Sequence, residues 1–157
     1  MPHADTTNAP PPAQTPDWFE AGLTFSCTQC GNCCTGPPGY VWFTDDEAHA
    51  MASELGLSVD AFRQRYAKRK HGKWTLGEVK RGGRYDCVFL RWTDDGRGLC
   101  GVYGSRPQQC RTWPFWPENL TDPRAWAAAA QTCPGMKRDD GTFVPAERVR
   151  VIRDSHE

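Results

Sequence analysis

Four cysteines, Cys27, Cys30, Cys33 and Cys34, fall within eight positions of the stretch FSCTQCGNCCTG. Thiolates are soft ligands that hold zinc, copper(I) and iron–sulfur clusters. A C-x-x-C spacing lets two sulfurs of one tight turn converge on a single ion, while backbone N–H groups between them can donate to the thiolates. Cys27, Cys30 and Cys33 repeat that spacing twice, so one loop can offer three ligands to a centre and must find a fourth elsewhere. Side chains of adjacent residues diverge, so Cys34 points to another role: a second site, a bridge between two metals, or a free thiol.

The remaining sulfurs are Cys87, Cys100, Cys110 and Cys133. They supply enough ligands for one four-cysteine site with spares or for two complete sites. Three cysteines at two-residue gaps with a remote Cys133-Pro134 match the bacterial ferredoxin arrangement around [4Fe–4S]. A four-cysteine zinc cage accepts the same C-x-x-C units, and both cofactors stay open at this point. Such a site carries negative charge, and Arg91, Arg97, Arg106 and Arg111 are threaded between the later cysteines. Guanidinium donors can hydrogen-bond sulfur and offset that charge. Arg106 and Arg111, flanking Cys110, are the expected partners, and Arg97, in a turn, is expected at the surface. Any single cysteine could instead pack as a small apolar residue, and four disulfides are the competing account of the set.

Other chemistry finds little support. His3, His49, His71 and His156 stand beside no nucleophile in a motif, so a hydrolytic reading fails and no catalytic residue is assigned. A catalytic zinc would need an open coordination position, with His49 and Asp86 as conceivable contributors. A redox enzyme or electron carrier built on an iron–sulfur cluster is the alternative to a non-catalytic metal-binding protein.

The 157 residues suit one modest core, and 19 basic residues balance 19 acidic ones. No global field therefore favours nucleic acid, and a mean hydropathy of -0.69 without a long apolar run speaks against a membrane span. The start, MPHADTTNAPPPAQTP, lacks the basic and apolar regions of a secretory signal. The expectation is a cytoplasmic chain with reduced thiols and metal ions as its partners. A protein partner is possible and unidentified.

The elements that must position these thiols read as α+β: one small, metal-organised domain over 17–157 behind a disordered tail at 1–16. Tyr40–Phe43 suits a short strand. Thr44 and Glu47 form a capping box, Gly56 stops that helix, and Ala48, Met51, Ala52 and Leu55 make its apolar stripe. A second helix from Ser58 carries Phe62 and Tyr66 and frays into the basic run AKRKHGK. From Lys73, strands separated by Gly82-Gly83 and Asp94-Asp95-Gly96 predict a short antiparallel β-meander, with Cys87 and Cys100 close across one hairpin. The stretch SRPQQCRTWPFWP predicts one helical turn. A helix capped by Asp122 is expected to run to Cys133, and Val149 and Ile152 have helical spacing near the end.

Taken together, CTQCGNCC followed by CVFL, CGVYGSRPQQCRTWPF and CPG resembles the YkgJ-type cysteine cluster family, assigned to zinc or iron chelation. The resemblance covers roughly Phe25 to Gly135. It implies metal or iron–sulfur binding with all eight cysteines as candidate ligands, since each falls on a position of the family pattern. A related signature in the flagellin lysine methylases implies an iron–sulfur enzyme using S-adenosylmethionine. The present chain is shorter and shows no cofactor-binding loop beyond the cysteines. Its C-x-x-C-x-x-C-C also differs from the C-x-x-x-C-x-x-C of radical enzymes that use that cofactor.

Overall fold

The computed structural model describes residues 15–156. The tail expected at 1–16 lies, as far as residue 14, outside the described residues. From a turn at Asp17 the chain enters β1 (Leu23–Phe25), then the cysteine loop, which closes in a 3-10 turn, Asn32–Cys34, and β2 (Thr35–Gly36).

Helix α1 (Asp45–Glu54) starts on the expected capping box. Thr44 Oγ1 accepts from Glu47 N at 3.2 Å while the Glu47 carboxylate accepts from Thr44 N at 2.9 Å. It ends at Gly56, whose φ of 67° permits Leu57 N to reach Ala52 O at 2.9 Å and Gly56 N to reach Ser53 O at 3.1 Å. Ala48, Met51 and Ala52 are buried on its inner face, and Leu55 packs beside them. Helix α2 (Val59–Tyr66), capped by Ser58, buries Phe62.

The basic run that follows is a hairpin rather than a fraying helix end. Strand β3 (Ala67–Lys70) pairs with β4 (Lys73–Leu76) from Ala67↔Leu76 to Lys70↔Lys73. The two turn residues, His71 and Gly72, both have positive φ, 50° and 76°, the backbone a two-residue hairpin turn favours. Arg63 and Arg69 lie over the Trp74 ring at 5.2 Å each, so stacking on the indole helps hold the exposed cationic strand.

The other strands are β5 (Glu78–Arg81), β6 (Arg84–Cys87), β7 (Leu90–Trp92) and β8 (Gly98–Cys100), turning where the glycines suggest. They are antiparallel, yet divided among small sheets of order β2-β6-β5, β3-β4 and β7-β8. The division falls at Gly77, whose N–H turns back to Tyr66 O at 2.7 Å, and at the corner of buried Phe89. Tyr40–Phe43 is extended but forms only one bridge, Trp42↔Thr75. Side chains take its other groups, with Val41 N donating to Thr75 Oγ1 at 2.9 Å and Trp42 N to Gln109 Oε1 at 3.0 Å.

Helix α3 (Gln108–Thr112) contains Cys110. Helix α4 (Pro123–Ala130), capped by Asp122, stops short of Cys133, and a 3-10 turn, Pro134–Lys137, follows that cysteine. Strand β9 (Thr142–Val144) pairs with β1, and α5 (Ala146–Asp154) buries Val149.

The fold is α+β, as the sequence predicts. Three apolar clusters among the described residues hold it together. Phe43, Met51, Phe62, Leu76, Phe89 and Val102 form the first, with Cys87 and Cys100 packed against them. Phe19, Phe115, Leu120 and Val149 form the second. Cys133 itself belongs to the third, with Ala130 and Met136. Among the described residues no helix is long and apolar enough to cross a membrane.

Candidate metal centre

The cysteine loop is pressed onto its surroundings at several points. Ser26 N donates to Gly135 O at 3.2 Å, Gly98 N to Gln29 O at 2.7 Å, and Asn32 Nδ2 to Thr132 O at 2.8 Å. Gln29 and Gly31 take positive φ, 56° and 76°, which curls the chain between successive cysteines. At Gly31 a Cβ would stand 2.7 Å from the Trp92 indole, so only glycine allows this approach to the β7–β8 hairpin. The far end is locked by buried Asp86, which accepts from Thr35 Oγ1 at 2.5 Å and Trp92 Nε1 at 3.2 Å, with Arg81 3.7 Å away. These donors, Thr35 first, hold the Asp86 carboxyl below the usual carboxylate range. Its oxygens being engaged in this way, Asp86 acts as a clamp on the loop. His49 is exposed on α1 and is not part of the cavity wall.

A cavity of about 550 Å³ is lined by all eight cysteines. The loop contributes Cys27, Cys30, Cys33 and Cys34, while β6, β8, α3 and the segment after α4 contribute Cys87, Cys100, Cys110 and Cys133. Every one is a free thiol, with Cys133 buried and Cys27 and Cys33 exposed. Cys33 and Cys34 hold their Sγ atoms 3.8 Å apart. Among the described residues no group of three or more His, Cys, Asp or Glu side chains is set to hold one ion as it stands. Convergence is thus to one cavity, and binding requires the sulfurs to close in. Cys87 and Cys100 do not pair across a hairpin. Cys87 stands opposite Glu78 and Cys100 opposite Leu90, and both rest on the first core.

Backbone N–H groups are aimed at several sulfurs. Gln29 N donates to Cys27 Sγ at 3.3 Å. Phe89 serves Cys87, Val102 serves Cys100, and Gly135 with Met136 serves Cys133, each lowering a pKa that burial raises. Cys133 Sγ also accepts from Trp113 Nε1 at 3.4 Å, a partner the sequence did not single out for this role. Burial pushes Cys87 up to about 11 and Cys110 up to about 12, and raises Cys100 and Cys133 as well. Within the adjacent pair, a hydrogen bond from the Cys34 thiol holds Cys33 below the ordinary thiol range and pushes Cys34 above it. Of the four arginines, Arg106 lines the cavity. It faces Cys33, Cys100 and Cys110 and favours their thiolates, while its Nε donates to Tyr103 O at 3.0 Å. Arg111 turns instead to Glu47 at 3.7 Å, and Arg97 bonds Asp95 at 3.0 Å in its turn.

This donor set fits a thiolate-bound metal. Soft sulfur ligands select zinc or iron–sulfur centres, and N–H donors to sulfur are what buried thiolates need. Thiols held neutral by burial lose their protons when a cation binds. No solved structure matches the chain. Residues 26–134 match the family model CxxCxxCC, described as a "putative zinc- or iron-chelating domain". That span takes in all eight thiols and more than half of the sequence, and so the chain belongs to the CxxCxxCC family.

Proposed function

We propose that this protein binds metal through the thiolates of Cys27, Cys30, Cys33, Cys34, Cys87, Cys100, Cys110 and Cys133, and that iron–sulfur is the better fit than zinc. The observation that carries the reading is the arrival of all eight sulfurs, from five separate parts of the chain, at one cavity of about 550 Å³. Zinc lies about 2.3 Å from each thiolate and needs no open volume of its own, whereas a cluster brings its own sulfide and fills more space. Residues 17–157 act as one metal-binding domain in this reading, working in the reducing cytoplasm where free thiols persist.

A redox role is the second reading. Exposed Cys27 and Cys33 bring the sulfur cavity close to the surface, where electrons can be exchanged. Anaerobic purification followed by iron, sulfide and zinc analysis tests the first reading. Brown protein containing iron and sulfide is expected, and colourless protein with stoichiometric zinc would reject iron–sulfur. Reversible bleaching by dithionite would support the redox role, and a cluster inert to reductant and oxidant would remove it.

A further inference from the structure

The balance of 19 basic and 19 acidic residues hides a local imbalance. Between positions 63 and 73 stand Arg63, Arg65, Lys68, Arg69, Lys70 and Lys73, with no acidic residue among them. The end of α2 and the β3–β4 hairpin carry all six, and every one but Arg63 is exposed. Among the described residues Arg63 alone of the six forms an ion pair, with Asp45 at 2.6 Å. The strand register adds repulsion. Lys70 lies directly opposite Lys73 beside the turn, and like charges so placed destabilise a strand pair. The β5–β6 hairpin also sets cation against cation, Arg81 opposite Arg84. There Asp86 lies 3.7 Å from Arg81, and Thr35 Oγ1 accepts from Arg84 Nε at 3.3 Å. Among the described residues no carboxylate pairs with Lys70 or Lys73. Lysines that only guard an exposed strand edge need no cation opposite them.

Aromatic rings stand among these charges. Trp74 lies under Arg63 and Arg69, at 5.2 Å from each. Beside the turn, the Tyr40 ring is stacked on Trp42 at 4.8 Å and meets the turn residue His71 edge-on at 5.9 Å. Gln109 fixes the backbone there, its Nε2 donating to Tyr40 O at 2.9 Å, yet Tyr40 is 45% exposed. Cations to meet phosphates and a fixed, open ring to meet bases are the two parts of a single-strand binding surface. An acidic peptide would use the first and have no need of the second. A duplex keeps its bases stacked on one another and would leave the ring idle.

We propose that the β3–β4 hairpin, with Tyr40 beside its turn, binds single-stranded nucleic acid: the lysines and arginines hold the phosphates, and a base stacks at Tyr40. This stands independently of the metal-binding reading. Tyr40 also lines the sulfur cavity, so a strand bound on the hairpin reaches the cavity wall.

The test follows the fluorescence anisotropy of a labelled oligouridine of about 16 nucleotides on addition of the full chain, across a range of salt. Duplex DNA of equal length and labelled polyglutamate are run beside it. Binding to oligouridine is expected to weaken with salt at a log–log slope of about 3.5, the value for five single-strand phosphate contacts. Lys70→Glu reverses one charge and gives Lys73 an opposite partner across the strand pair. It is therefore expected to melt no lower than the wild type and to bind about tenfold more weakly. Tyr40→Leu is expected to weaken binding about tenfold and to leave the salt slope unchanged. No binding at about 50 mM salt, or a Lys70→Glu chain that binds as well as the wild type, would overturn the proposal. Polyglutamate held as tightly as oligouridine would assign the surface to an acidic protein instead. Preference for the duplex, or full affinity in Tyr40→Leu, would remove the stacked base. Should a variant fail to fold by circular dichroism, the wild-type salt slope and its choice among the three probes decide.

Discussion

At the residue scale, two glycines matter as much as the sulfurs. A Cβ on Gly98 would stand 2.5 Å from the Gly31 Cα, and backbone cannot swing aside as a flexible side chain can. Gly98→Ala is therefore expected to lift the cysteine loop off its hairpin, costing about 1–3 kcal/mol and lowering metal content. Gly39→Ala serves as the control, since a Cβ there meets nothing within 4 Å. Its stability is expected to stay within about 0.5 kcal/mol of the wild type. Denaturant melts paired with metal analysis separate the two, and an unaffected Gly98→Ala protein would show that the loop does not need this contact. Cys30→Ser is expected to lower metal content and melting temperature together, because binding and folding are linked. Unchanged metal content would remove Cys30 from the ligands.

At the element scale, the parts with strong local signals formed where the sequence placed them. The Thr44–Glu47 box, the Gly56 stop and the Asp122 cap each satisfy helix-end groups through residues only a few positions away. Thr44→Ala is expected to cost about 1 kcal/mol in a denaturant melt and to leave metal content alone, since Thr44 is not part of the cavity wall. Strand β3 had no such signal. Lys68, Arg69 and Lys70 offer no alternation of apolar and polar positions, and the strand exists because β4 and the Trp74 ring are there to receive it. The division of the expected meander has the same origin. Its turns are local, but the partner of each strand is chosen by where Gly77 and Phe89 turn the chain.

At the scale of the whole molecule, the two ends of the described chain are tied together. Asp17 accepts from Arg150 Nε at 2.7 Å and Arg153 Nη1 at 3.2 Å, and Glu20 joins Arg150. The Arg150 hydrogen bond, ahead of the other contributions, holds the Asp17 carboxyl below its ordinary value. A carboxyl depressed by folding stabilises the native state above its unfolded pKa of about 3.9, and that stabilisation is lost as pH falls through the lower native value. Asp17→Asn is thus expected to melt slightly lower than the wild type at pH 7, with the difference fading as the pH falls below about 4. The effect is small because the partners are partly exposed. Melting temperatures across that range check it, and a difference that persists in acid would assign the contribution to packing instead.

The sequence by itself determined the donor chemistry, since eight sulfurs and their two-residue spacings are properties of composition and order. It also determined the capped helix starts, the Gly56 stop and the turns at Gly82-Gly83 and Asp94-Asp95-Gly96, whose physics acts within a few residues. Only the tertiary structure decided that Cys87, Cys100, Cys110 and Cys133 share one cavity with the loop, that Arg106 and not Arg111 faces the sulfurs, and that Asp86 clamps Thr35 and Trp92. Those outcomes depend on contacts between residues far apart in the chain. Burial and strand pairing set them, and no local pattern encodes either.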